Sequence, residues 1–269
     1  MTSMNESNKY KTPVTYKDIE DKDFLLESTQ SLKYIDEIVL YKKTAELYLS
    51  LFPNARRLYR EVDKVDYIQL LAVRIFHDTR AALILSNRGL YPQASALLRG
   101  VLDSFNLIYD FKINPENEDL WFNAGKNKRD VMFKAGAVRK RVEESGVNKS
   151  SEGSKNLYNL LSNYSVHTNM ESHLWYLETR DKTLLYHWAG YDGGKRSETL
   201  VLSVLQSLAQ GLFILVYEDI YALDRSWTED FKLWKKDFLV STKKFGGIFG
   251  DTEVLDLEVL EDKEIIVNF

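Results

Sequence analysis

The chain has no cysteine, and only 4 prolines and 13 glycines in 269 residues. Without thiols there are no disulfides, thiolate metal sites or cysteine nucleophiles, and the expected compartment is a reducing one, the cytoplasm. Scarce proline and glycine leave few enforced breaks, so long 3.6-residue periodicities run uninterrupted and a mainly α fold is expected. An excess of positive charge is also lacking. The 36 Lys and Arg against 40 Asp and Glu give a formal net charge of -4, so any attraction to nucleic acid or an anionic membrane needs a local patch. Long apolar runs are nearly absent too. The uncharged stretch Thr199 to Tyr217 approaches bilayer-spanning length, but Ser203, Gln206, Ser207 and Gln210 share one helical face. Leu200, Val204, Leu205, Leu208, Leu212, Leu215 and Val216 cover much of the rest, the pattern of a helix inside a bundle rather than in a membrane.

What is present is apolar mass. Hydrophobic residues make up 44% and aromatics 13%, enough for a sizeable core and too much for global disorder. Residues 1–13 are polar with no apolar leader segment and are expected to be a disordered lead-in. One helical-bundle domain is expected over 14–250, followed by an acidic, strand-like tail at 251–269.

Periodicity places a first helix over Leu32 to Leu51, stopped by Pro53. A second covers Asp66 to Asn87 with Ile68, Leu71, Ala72, Ile75, Thr79, Ala82 and Leu83 inward, and Gly89 as its C′ residue. Pro92 opens a third helix running to Lys112. This third helix buries Ala94, Leu98, Val101, Leu102, Phe105 and Ile108, and carries a small-residue seam of Ala96, Gly100 and Ser104 that invites a close neighbour. Ser95, Arg99, Asp103, Asn106 and Asp110 remain as a narrow polar stripe. Asp119 to Glu144 reads as one basic helix. A shorter helix spans Lys155 to Val166, and a β-hairpin is expected at about 173–188, turning at Thr179-Arg180-Asp181-Lys182. Helices from Ser197 to Leu223 and from Trp227 to Lys243 complete the pattern.

The helix Gly89 to Asp103, with its Leu97-Leu98-Arg99 and Asp103, is followed some sixty residues later by Tyr158, Leu161-Ser162 and His167. In this the chain resembles a group of bacterial all-α proteins related to the HEPN superfamily, over roughly Asp66 to Gly194. The resemblance implies a HEPN-like bundle, often dimeric, whose active members are metal-independent ribonucleases of toxin–antitoxin and phage-defence systems. Their signature is an Arg followed by four to six residues and a His. A neutral His takes the proton of an RNA 2′-hydroxyl while Arg neutralises charge developing on the phosphate. Carried onto His167, the Arg would fall at 160, 161 or 162, where Leu160, Leu161 and Ser162 stand. The signature therefore fails where the resemblance puts it.

A literal match lies at Arg180 and His187, but short motifs recur by chance. With Arg180 in a hairpin turn, His187 would stand roughly 20 Å along a strand, too far to share one phosphate. The other candidate pocket joins Arg99 and Asp103, one turn apart on a shared face, to Tyr158, Ser162 and His167. Its bland alternative is a solvated stripe or a structural ion pair, beside a histidine that caps a helix or makes a structural hydrogen bond. Lys126, Lys128, Arg129, Lys134, Arg139, Lys140 and Arg141 are either a solvated face or a contact for RNA or an acidic protein. His77, Asp78 and Arg80 complete no metal-ligand set, and Gly246, Gly247 and Gly250 lack the Lys-Ser/Thr of a phosphate loop, so no metal and no cofactor is expected. The expected function is that of a HEPN-like, cytoplasmic binding protein of stress or defence, engaging RNA or a protein partner, with homodimerisation implied by the resemblance. The alternative is a ribonuclease using His167 with Arg99.

Overall fold

A computed structural model describes residues 16–51, 67–146, 158–159, 161–162, 177–180, 183–186, 194–217 and 225–243. They form helices α1 (Tyr16–Lys33), α2 (Ile35–Ser50), α3 (Tyr67–Asn87), α4 (Tyr91–Ile113), α5 (Glu116–Asn123), α6 (Lys126–Met132), α7 (Ala135–Glu144), α8 (Lys195–Tyr217) and α9 (Arg225–Lys243). Strands β1 (Leu177–Arg180) and β2 (Thr183–Tyr186) pair antiparallel, with Leu177 opposite Tyr186 and Arg180 opposite Thr183. Arg180 is thus the last residue of a strand, where the sequence reading had it in the turn. The remainder of 173–188, the lead-in at 1–13, the tail at 251–269, Gly246 to Gly250, His167 and His187 lie outside the described residues. The protein is mainly α, and no described helix is long and apolar enough to cross a membrane.

The centre of the bundle is α3, α4 and α8, with α2 against α8 and α9 against α2. The α3–α4 turn forms as its sequence dictates. Gly89 takes φ 71°, the left-handed region that costs glycine little. Its N–H donates to Ser86 O at 3.0 Å and the Leu90 N–H donates to Leu85 O at 2.8 Å. This pair of bonds is a Schellman C-cap, which satisfies carbonyls that the end of a helix leaves open. Pro92 then lies in the first turn of α4, where no backbone N–H is needed. The inward residues expected for α4 are all buried, as are those for α3 except the half-buried Ile68.

Close packing at the centre depends on Gly211 of α8. A Cβ there would stand 3.2 Å from Ile75 Cγ2, 3.3 Å from Tyr48 Cε2 and 3.4 Å from Phe105 Cε1, side chains of α3, α2 and α4 that are themselves buried. Tyr48 is pinned further by its hydroxyl, which donates to Ala72 O at 2.9 Å. Helix propensity favours Gly211→Ala by about 1 kcal/mol, and overpacking opposes it by about 1–3 kcal/mol. Because the three neighbours are buried on three different helices, packing is expected to win. Gly211→Ala is expected to lose about 1 kcal/mol in urea unfolding, and a gain in stability would show that the three side chains can yield.

Two expected elements differ. In place of one helix from Leu32, α1 begins at Tyr16 and the chain bends at Tyr34 before α2. Helix α1 has no apolar stripe to betray it, since Phe24, Leu25 and Leu32 are all exposed. It is tied instead by Glu27, which accepts from Arg88 Nε at 2.8 Å, and it buries Gln30 completely. The bend at Tyr34 is fixed from α8: Ser197 Oγ donates to Gly194 O, so the 2.8 Å bond between Tyr34 OH and Ser197 Oγ takes its proton from the tyrosine. The expected basic helix from Asp119 to Glu144 is three helices, α5 to α7. Extended backbone at Ala124, Gly125 and Lys134 breaks it and brings α7 back along α4, with Val138 and Val142 buried.

Candidate functional site

Folding α7 over α4 covers the stripe whose surroundings the sequence alone leaves open. At one end of the stripe, Asp110 is fully buried and accepts from Arg141 Nε and Nη2, both at 2.7 Å, and from Asn117 Nδ2 at 3.2 Å. Arg141 also donates to Met132 O at 2.8 Å. Bonding to Asp110 raises the Arg141 pKa above the ordinary arginine value. This fork-on-fork pair locks α7, α5 and the end of α6 to α4, so Arg141, expected on the solvated basic face, is structural.

Towards the N-terminus of α4 the stripe becomes an ionic cluster. Arg99 Nη2 donates to Tyr158 OH at 2.8 Å, and its guanidinium carbon lies 5.0 Å from the centroid of the Tyr158 ring. Arg139 of α7 stacks closer on the same ring, 4.3 Å from its centroid, in the range of cation–π attraction. Tyr158 and Ser162, one helical turn apart, are buried. Asp103 lies one turn beyond Arg99. Burial pushes its carboxyl pKa up, and the positive charges of Arg99, Arg139 and Arg74 partly pull it back. Arg74 of α3 in turn pairs with Asp78 through Nε to Oδ2 at 3.3 Å.

Gly100 makes room for that second pair. A Cβ on it would stand 3.2 Å from Arg74 Nη2 and 3.3 Å from Asp78 Oδ2. The small-residue seam therefore admits an ion pair of α3 at this point. Around the cluster, Arg99 Nε, Asp103 Oδ1, Arg139 Nη1 and Ser162 Oγ are buried with no hydrogen-bond partner. Buried polar atoms in native proteins are nearly always satisfied, and four open ones on three segments single this region out as the candidate site; the other open buried atoms among the described residues, on Gln30, Ser86, Asn87 and Gln206, belong to uncharged side chains.

Of the candidate pocket residues, Arg99, Asp103, Tyr158 and Ser162 fall in this one region, while His167 lies outside the described residues. Arg139 joins the cluster rather than the solvated face. Arg74 was missed, although its i,i+4 spacing to Asp78 and the glycine opposite were signals in the sequence. Lys126, Lys128, Lys134 and Lys140 are exposed and Arg129 is half-buried; Lys140 pairs at 3.7 Å with Glu144, where both side chains are well exposed. His77 is exposed, and no group of three metal-ligating side chains occurs among the described residues. Compared with protein-family models, curated proteins and solved structures, the chain matches none.

Proposed function

We propose that this chain is a HEPN-like bundle with an inserted hairpin that binds RNA through its phosphate backbone without cutting it, as a component of a stress, toxin–antitoxin or phage-defence system. The setting and the HEPN-like label rest on the resemblance of Gly89 to Asp103 and Tyr158 to His167. The observation that supports binding over cutting is the engagement of Arg99. Its Nη2 holds Tyr158 OH at 2.8 Å, so the arginine that the ribonuclease alternative would use already has a positioning task inside the bundle. At 161 and 162, two of the places where the ribonuclease signature needs arginine, Leu161 and Ser162 are buried.

Binding would fall to the exposed lysines of α6, α7 and the link between them, Lys126, Lys128, Lys134 and Lys140, flexible point charges suited to backbone phosphates and indifferent to sequence. Four such contacts to single-stranded RNA imply that log K falls with log salt at a slope of about -3. The test is a titration of labelled single-stranded RNA across salt concentrations in EDTA, with the strand checked for cleavage. Lys126→Glu/Lys128→Glu/Lys134→Glu is expected to flatten the slope by about 2–3 while the RNA stays intact. A slope unchanged in that variant sinks the reading. Cleavage that vanishes in His167→Ala would establish the ribonuclease alternative, which the open Arg99 Nε and Ser162 Oγ favour.

A further inference from the structure

We infer that the cluster between α4, α7 and the Tyr158–Ser162 turn is a binding site for a phosphate group that carries a proton, hydrogen phosphate or the monoanion of a phosphomonoester, separate from the lysine face. The open atoms define the ligand. Arg99 Nε and Arg139 Nη1 are donors, Ser162 Oγ is a donor with a free rotor, and Asp103 Oδ1 is an acceptor. Three donors suit the oxygens of a tetrahedral oxyanion, and guanidinium groups suit that geometry better than ammonium groups do. The single carboxylate oxygen decides which oxyanion. Facing a fully deprotonated anion it repels, whereas a P–OH group donates to it. Sulfate has no proton to offer near neutral pH and an internal RNA phosphodiester has none either, so both are disfavoured by the repulsion and by the acceptor left open.

Charge points the same way. Arg74, Arg99 and Arg139 face Asp78 and Asp103, with Arg74 and Asp78 paired to each other at 3.3 Å. Among the described residues, what remains is Arg99 and Arg139 against Asp103, one positive charge in excess, which a bound anion would neutralise. The scaffold is preorganised. The Tyr158 ring holds both guanidiniums, at 5.0 and 4.3 Å, and the Tyr158 hydroxyl occupies Arg99 Nη2. Arg99 Nε is a further donor of the same group, buried and open. Ser162, a turn beyond Tyr158, is 6% exposed, and its hydroxyl has no role in packing that an alanine could not fill.

The test is calorimetric titration of the full chain with inorganic phosphate and with sulfate at matched ionic strength, paired with thermal melts. Both anions stabilise proteins non-specifically, so the expected result is a saturable phosphate response that sulfate does not reproduce. The Tm is expected to rise by roughly 3–5 °C for each tenfold excess of phosphate over its Kd. Ser162→Ala is expected to weaken phosphate about tenfold, the loss of one bond to a charged group. Asp103→Asn replaces the acceptor with an amide donor and is expected to bring sulfate binding up to that of phosphate. Should Asp103→Asn fail to fold, Ser162→Ala with wild type still decides. No saturable response in wild type, or equal binding of phosphate and sulfate, overturns the inference. Two further arms identify the source: adenosine monophosphate against adenosine at pH 6, and 5′-phosphorylated against 5′-hydroxyl RNA. Discrimination by the nucleotide pair alone assigns a small ligand, and discrimination by the RNA pair assigns a strand end. Because the lysine variants leave this pocket intact, loss of backbone binding and loss of phosphate binding are separate results.

Discussion

Asp110→Ala is expected to lower the Tm by about 6–20 °C, the consequence of a loss of about 3–5 kcal/mol when one member of a buried ion pair is removed. The cost comes less from the bonds lost than from what they leave behind. Arg141, 29% exposed at its side chain, keeps its bond to Met132 O and its place over the Phe133 ring but loses its counter-charge, and Asn117 Nδ2 loses its Asp110 acceptor at a position only 7% exposed. Asp110→Asn retains one acceptor and is expected to cost about half as much. The comparison that separates an uncompensated charge from a lost attraction is the double variant Asp110→Leu/Arg141→Met. It should recover most of the stability that Asp110→Ala loses, because an apolar pair of similar volume avoids desolvating two ions. If Asp110→Ala costs under 1 kcal/mol in denaturant unfolding, α7 is not locked to α4 through this pair. The Lys140–Glu144 pair is the contrast: with both partners well exposed, its removal should be nearly silent.

The same helix shows where sequence stops being informative. The α3–α4 turn was legible because it is a local matter: Gly89 and Pro92 each have a backbone reason to be where they are, and the capping bonds reach no further than five residues. The inward faces of α3, α4 and α8 were legible because burial repeats with the helix period. For Arg99, Asp103 and Asp110 the periodicity was also right, since they share one side of α4. It could not say whether that side meets water or another helix. That depends on the extended backbone at Ala124, Gly125 and Lys134, which turns one apparent helix into three. Once α7 lies on α4, two arginines of an apparently solvated face become inward groups, one paired to a carboxylate and one stacked on tyrosine. Helix α1 failed for the opposite reason. It meets the bundle with a polar bond, Glu27 to Arg88, and a buried polar side chain, Gln30, and a hydrophobic period cannot register them.

Trp234→Ala is expected to be as damaging as any single change outside the ionic stripe, about 3–5 kcal/mol. Helix α9 reaches the bundle through α2, and it does so with one stripe: Phe231, Trp234 and Phe238, spaced three and four residues apart, are all buried. Their rings follow one another at centroid distances of 5.4 and 5.2 Å, so removing the middle one breaks both ring contacts at once. The indole also has a polar anchor. Trp234 Nε1 donates to Thr44 Oγ1 at 2.8 Å, and Thr44 donates its own proton to Leu40 O at 2.8 Å, so the chain of bonds runs from α9 into the backbone of α2. Trp234→Phe keeps most of the volume and removes that anchor, with an expected cost of about 1–2 kcal/mol. The 3.1 Å Lys43–Asp237 pair joins the same two helices, but both of its side chains are more than half exposed. Water and salt screen it, and Lys43→Ala should change stability by less than about 1 kcal/mol. Measured together by urea unfolding, the order Trp234→Ala, Trp234→Phe, Lys43→Ala in decreasing cost is the expected result. If Lys43→Ala proved the most costly, α9 would be held by charge, and its docking would weaken steeply as salt is raised.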